Sequence, residues 1–309
     1  MKKIRVLIVA KPWQGGLYQY YLNAFRRNVK VEANLIYSYP KDISEYIAYK
    51  IDKKKWYQLQ IEAINKSNYD FGFFINHSTY FAKLKNKSKN FLYLTDSANL
   101  SLDDQKIYSG IYISDIFYKN RIRENLFIDE LPFGFDLQIH KKIESSPKKR
   151  LMCSLINRDK KRDAWLDKLD KKYFPHIYGN YFLKHKLFLK KPSNFHPQVN
   201  FLKQKFIYAN YLISLNLHSN VLKQGTNQRT FEAAGCEIAQ LIEYTPGLER
   251  FFDLKKEICI FRTHEEFYAK YDKLKHDHNY RLKLVNNSYK RAISEHTYDK
   301  RIDFILNHF

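Results

Sequence analysis

The stretch Gly225-Thr226-Asn227-Gln228-Arg229-Thr230-Phe231-Glu232-Ala233-Ala234-Gly235-Cys236 gathers groups able to hold a charged, hydroxylated ligand. A glycine turn after an apolar run lets the backbone approach closely. The helix that follows offers backbone N–H groups and a partial positive charge at its start, which suits a phosphate. Arg229 would neutralise a departing diphosphate. Glu232, three residues on and on the same helix face, would accept hydrogen bonds from sugar hydroxyls. The chemistry that needs both is the binding and activation of a nucleotide sugar. Each residue also has a plainer reading: Glu232 as a solvent-facing glutamate that complements the helix dipole, Arg229 as a surface ion-pair partner.

Such a site needs a scaffold that presents strand ends and helix starts together. Ile4–Ala10 is rich in β-branched residues and apolar throughout from Val6 on, the pattern of a strand buried on both faces. A helix-like stretch over Leu17–Arg27 and a strand over Val31–Tyr37 follow, then strands at 71–75, 91–94 and 107–113. The polar, basic residues 144–150, with Pro147, read as a linker. The pattern then restarts, with a strand at 151–156, a helix at 159–171 and strands at 176–178, 211–217, 238–242 and 258–261. Charged helices run from Thr263 onward. Alternating β and α elements predict an α/β chain of two Rossmann-like domains with mostly parallel sheets, divided as 1–146 and 147–309. Ligands of such sheets collect past the carboxyl ends of the strands, which singles out Gly15, Gly16, His77 and Asp96.

The 309 residues carry 54 Lys and Arg against 32 Asp and Glu, a formal net charge of +22. A field of that sign attracts phosphorylated substrates, anionic lipid headgroups or nucleic acid, unless it only reflects a lysine-rich composition. A hydrophobic share of 44% excludes a disordered chain. Cys153, Cys236 and Cys259 stand in or beside apolar runs without CxxC spacing. They predict buried thiols in a cytoplasmic protein, with neither a disulfide framework nor a zinc site. The first apolar run is too short for a signal peptide and no later one approaches transmembrane length, so any membrane contact is expected to be peripheral. His264, the His276-Asp277-His278 cluster and His296 lack a second set of ligands at matching spacing, and Asp103-Asp104 is not a DxD motif. No metal is expected.

Asn227 to Cys236, with Thr245-Pro246-Gly247-Leu248-Glu249, Phe261 and Glu295-His296-Thr297-Tyr298 with Arg301, resembles the C-terminal domain of the CgeB-like glycosyltransferases, a GT-B family. That family carries NxRxFExxAxG, a loop ending in Leu-Glu and a late His-Thr-Tyr. Pro132-Phe133-Gly134-Phe135-Asp136 with His140-Lys141, and Tyr178-Gly179, are weaker echoes. The resemblance implies a GT-B fold, two Rossmann-like domains facing across a cleft. It also implies a nucleotide-sugar donor, UDP- or GDP-linked, on the C-terminal domain and an acceptor on the N-terminal one, with no metal or other cofactor. It implies that Glu232 binds the donor ribose and that Arg229 and Arg158 face the diphosphate. Gln224, Gly225, Thr226 and Asn227 would form the turn at the phosphates or sugar. His77 would stand near the reacting sugar, Asp96 would act as base on the acceptor hydroxyl if the reaction inverts, and Gly15 and Gly16 would line the acceptor side. The plainer readings are a helix-start turn for the two glycines, a structural loop histidine for His77, an N-cap for Asp96 and a solvated helix start for Arg158 and Arg162. Many retaining relatives carry a second glutamate where this chain has Gln224, which supplies hydrogen bonds but no charge. The resulting expectation is a retaining glycosyltransferase acting on a glycan or lipid-linked acceptor in bacterial cell-surface assembly, in contact with an anionic membrane surface. DNA is the alternative acceptor, and a non-catalytic nucleotide- or glycan-binding protein the alternative of another class.

Overall fold

The computed structural model describes residues 2–12, 16–76, 79–85, 89–95, 105–122, 126–144, 150–180 and 194–308, whose strands form two six-stranded sheets. The first holds β1 (Ile4–Ala10), β2 (Val31–Tyr37), β3 (Phe71–Ile75), β4 (Lys89–Leu94), β5 (Gly110–Ile113) and β6 (Phe127–Glu130), in the order β2-β1-β3-β4-β5-β6. The second holds β7 (Arg150–Leu155), β8 (His176–Tyr178), β9 (Phe195–His196), β10 (Tyr211–Asn216), β11 (Ala239–Glu243) and β12 (Cys259–Phe261), in the order β12-β11-β10-β7-β8-β9. All these strands pair in parallel. The helices are α1 (Leu17–Arg27), α2 (Ile43–Ile51), α3 (Lys53–Lys66), α4 (Lys160–Asp167), α5 (Gln204–Ala209), α6 (Gln228–Gly235), α7 (His264–His276), α8 (His278–Glu295) and α9 (Tyr298–Asn307). The residues group into two units, Met1–Pro132 with Tyr298–Phe309, and Phe133–Thr297.

In the first unit, side-chain alternation along β3 sends Phe71 and Phe73 to one face and Phe74 to the other. Phe73 meets Tyr21 and Phe25 of α1, with ring centroids 4.8 and 5.9 Å apart. Phe74 packs in a cluster with Ile61 and Ile64 of α3. Both faces are therefore apolar, which explains the hydrophobic runs over residues 6–10 of β1 and 71–75 of β3. A sequential split at 146/147 would leave α9 with the second half of the chain, but it packs against α1. Tyr298 stacks on Tyr20 at 5.2 Å and meets Tyr21 edge-on at 4.9 Å. Arg27 grips Asp299 through two hydrogen bonds of 2.7 Å, and the buried Arg301 donates to the Pro132 carbonyl at 2.8 Å.

The second unit buries a mixed aliphatic and aromatic cluster that includes Leu166, Ile213, Leu241, Phe261, Phe267 and Leu284. Polar caps start its helices: Asp159 accepts from Lys161 N–H, Thr263 from Glu266 N–H and Asp277 from Tyr280 N–H. Sequence and structure part at short elements. The strand expected from 107 begins at Gly110, because Tyr108 N–H closes a turn onto Gln105 O at 3.1 Å. The helix expected over 159–171 stops at Asp167, and a separate turn capped by Asp170 covers Lys171–Tyr173. The two-residue strand β9 was not anticipated. All three cysteines are buried thiols, as expected. Among the described residues, no helix is long and apolar enough to cross a membrane.

Aromatic burial outweighs the ion pair in holding α9. Tyr298→Ala should cost about 3–5 kcal/mol and Asp299→Ala about 1 kcal/mol or less. Thermal unfolding of the full chain checks the ranking; similar losses for the two variants would reverse it.

Candidate functional site

In the second sheet β7 and β10 are neighbours, although the intervening chain first travels outward through β8 and β9. The connections leave in opposite directions here, so the carboxyl ends of β7 and β10 form a topological switch point. The loop after β10 leads into α6, and the loop after β11 lies against it. Thr245 Oγ1 donates to Gly225 O at 2.7 Å, and Arg250 Nη2 donates to Gln224 O at 3.0 Å. Gly247 has φ +91°, and a Cβ there would stand 2.2 Å from Gln224 O, so only glycine allows the approach. The two motif segments, twenty residues apart in sequence, thus make one local structure.

The helix start is fixed from below. Asn216, at the end of β10, exchanges two amide hydrogen bonds with Asn227, of 2.9 and 2.7 Å, and donates to Thr230 Oγ1 at 2.8 Å. The Thr226 and Thr230 hydroxyls meet at 2.6 Å. Asn227 occupies the N-cap position without a side-chain cap bond, and the first turn of α6 carries no acid. The positive end of α6 is therefore not neutralised by its own sequence.

Glu232 lies on the same helix, fully buried. Gln228 Nε2 donates to its Oε1 at 2.5 Å, and Arg229 pairs with its Oε2. His140 Nδ1 accepts from Asp136 N–H at 3.1 Å, which leaves Nε2 to carry the proton facing Glu232 Oε1 at 3.4 Å. Burial alone would raise the pKa of this carboxyl. The charge of Arg229, with the hydrogen bonds from His140 and Gln228, overcomes that and brings it down to about 2. The solvent-facing reading of Glu232 is thereby corrected. A ribose contact at this carboxylate requires Gln228 or Arg229 to swing aside. Arg229 also donates to Gln204 Oε1 at 2.8 Å, and about a quarter of its side chain, 26%, remains exposed. Of the pair, the arginine is the member a ligand can touch.

The other candidates are dispersed. Arg158 follows β7 but is held by Asp163, with Nε at 3.1 Å from Oδ2. Arg162 donates to Leu217 O and Asn157 O, both at 3.0 Å, and so ties the ends of β7 and β10 together. Gly16 belongs to the first unit, where it caps α1 at φ 81°, the helix-start role. Gly15, His77 and Asp96 lie outside the described residues. Among the described residues, no group of three or more His, Cys, Asp or Glu is placed to hold a metal ion.

His218, the second residue past β10, was not singled out from the sequence. It lines a cavity of about 210 Å³ with Lys161, Arg162, Trp165, Glu243 and His264. Its Nδ1 faces the Asn227 amide at 3.2 Å, leaving Nε2 as a buried donor without a hydrogen-bond partner among the described residues. Burial, then the charges of Lys161 and Arg162, push its pKa down to about 3, so the ring is neutral at pH 7. The rule that ligands gather past strand ends, applied to His77, would also have marked it.

A protein-family model described as glycosyl transferase-like matches residues 160–307, which contain His218, the turn 224–227, Arg229 and Glu232 but not Arg158 or His140. No curated protein matches the sequence. Among solved structures, a glycosyltransferase from Rickettsia africae shares 11% identity, with 100% of this chain and 98% of that one covered at a TM-score of 0.70. The fold is GT-B. Two further GT-B structures agree. Anabaena HepE in complex with UDP and glucose has 11% identity, 99% and 100% coverage and a TM-score of 0.65. A T4 phage BGT mutant in complex with UDP-glucose has 13% identity, 99% and 98% coverage and a TM-score of 0.64.

The depressed pKa of Glu232 predicts an acid-sensitive GT-B core. A carboxyl with a folded pKa near 2 and an ordinary value of 4.5 contributes stability that is complete above pH 4.5 and lost as pH falls towards 2. The contribution is about 3 kcal/mol. Acid titration of unfolding should show this loss in the parent chain and not in Glu232→Gln; identical profiles would refute the buried ionised state.

Proposed function

We propose that this chain is a CgeB-like, metal-independent glycosyltransferase that moves a sugar from a UDP- or GDP-linked donor to a hydroxyl of a glycan or lipid-linked acceptor. The observation that carries this reading is the start of α6. It is positive, lacks an acid in its first turn, stands at the switch point of a parallel sheet and carries a partly exposed Arg229. Such a start suits the diphosphate of a nucleotide sugar. The glycosyl transferase-like match over residues 160–307, and the UDP and UDP-glucose held by proteins of the same fold, support it.

As the anomeric C–O bond to the diphosphate breaks and the acceptor oxygen bonds to the anomeric carbon, the acceptor hydroxyl gives its proton to the departing phosphate, on which negative charge grows ahead of that proton transfer. Arg229 and the N–H groups that open α6 are the groups suited to meet it. Glu232 holds Arg229 in place, and Gln224, Gly225, Thr226 and Asn227 shape the turn. Arg158 would join them on release from Asp163. Transfer with retention, and the roles of Gly15, Gly16, His77 and Asp96 on the acceptor side, rest on the family resemblance. The net charge of +22 favours DNA as the second reading of the acceptor. Steep salt dependence of duplex binding would distinguish that acceptor from a glycan.

Thermal-shift titration with UDP, GDP, ADP and CMP sugars tests the donor. One of the first two families should stabilise the chain, and Glu232→Ala should weaken that nucleotide's binding. With a transferable donor in hand, Arg229→Ala should lower kcat by about 10²–10³-fold. No response to any donor would remove the proposal.

A further inference from the structure

Helix α2 presents its apolar side the wrong way for a packed helix. None of its residues is buried, whereas a helix seated on a sheet normally hides an apolar stripe. Ile43, Ile47 and Ile51, spaced four residues apart on one face, are 78%, 53% and 81% exposed, with Tyr46 beside them at 40%. The anchor is Tyr49, on another face. Its ring meets Tyr39 at 5.2 Å, Trp56 at 5.7 Å and Tyr57 at 6.1 Å. Caps fix both joints: Asp42 accepts from Glu45 N–H at 2.9 Å, and Asp52 accepts from Lys55 N–H at 2.8 Å. The isoleucines are therefore held outward by a structured helix.

The charges around this stripe lean positive, with five lysines against three carboxylates among residues 41–55. Among residues 41–55, Asp42 and Asp52 serve as caps, and Glu45 pairs with Lys41 at 3.2 Å. Lys50, Lys53, Lys54 and Lys55 are exposed cations, and Lys50 Nζ lies 5.4 Å over the Tyr46 ring within the stripe. Apolar side chains interleaved with long basic ones suit a surface that is oily inside and anionic at its face.

We propose that the Ile43–Ile47–Ile51 face of α2 docks this chain on an anionic lipid bilayer. The isoleucines enter the headgroup boundary and the surrounding lysines meet lipid phosphates. A second copy of the chain is the poorer occupant, because it would bring the same lysines and another +22 of net charge against the first. This surface deepens the reading of a lipid-linked acceptor and rests on that reading for its purpose, but vesicle binding is measurable without sugar transfer.

Co-sedimentation of the full chain with vesicles of phosphatidylglycerol and phosphatidylcholine, against phosphatidylcholine alone, is the test. Binding is expected to the anionic vesicles, to weaken with salt, and to fall at least about tenfold in the Ile43→Ser, Ile47→Ser, Ile51→Ser triple variant. The unfolding temperature and the response to nucleotide sugars should not change, since the stripe is exposed. Equal binding by the triple variant, no preference for anionic vesicles, or a concentration-dependent dimer that the same variant abolishes would each overturn the docking surface. Vesicle binding in a chain that answers no nucleotide sugar would sustain the docking surface and count against the donor reading alone.

Discussion

A buried, ionised carboxylate constrains the second unit. Glu232 has no exposure to water, so its charge is tolerable only while Arg229, Gln228 and His140 surround it. Each of those partners is held in turn. Arg229 is braced by Gln204, and His140 is oriented by the Asp136 backbone N–H. The carboxylate thus joins α6, α5 and the segment after Pro132 into one network with a preferred geometry. An arginine positioned this way reaches the helix start already oriented, which is the condition for stabilising charge as it develops on a leaving group.

Close backbone approaches make that arrangement possible. At Gly235, the last residue of α6, a Cβ would stand 2.3 Å from the Phe135 ring, so the small residue lets the chain after Pro132 lie against the helix that carries Glu232. Phe135 N–H reaches His296 O at 3.0 Å, and the His296 ring packs on Phe231 at 5.1 Å and bonds to Phe251 O. The late His-Thr-Tyr segment is consequently structural at its histidine. Its tyrosine leaves the unit altogether to pack on α1.

Much of the fold was legible because its signals are local. The strands β1, β2 and β3 and the helix α1 lie where their patterns place them. Failures cluster where no local signal exists. A two-residue strand such as β9 has too little pattern to register, and Tyr108 is apolar yet bends into a turn. In α2 isoleucines spaced four residues apart face outward, whereas the same spacing marks an inward face in most helices.

For the candidate site, the sequence alone determined which residues share one strand–loop–helix unit, because turn glycines and helical spacing are properties of neighbours along the chain. It placed Arg229 and Glu232 on one face and the positive helix start beside them. Only the tertiary structure decided that Glu232 is buried rather than solvent-facing, that His140 completes its surroundings, and that His218 is neutral beside Lys161 and Arg162. Burial and charge state depend on what distant segments bring within a few ångströms, and spacing along the chain carries no record of that.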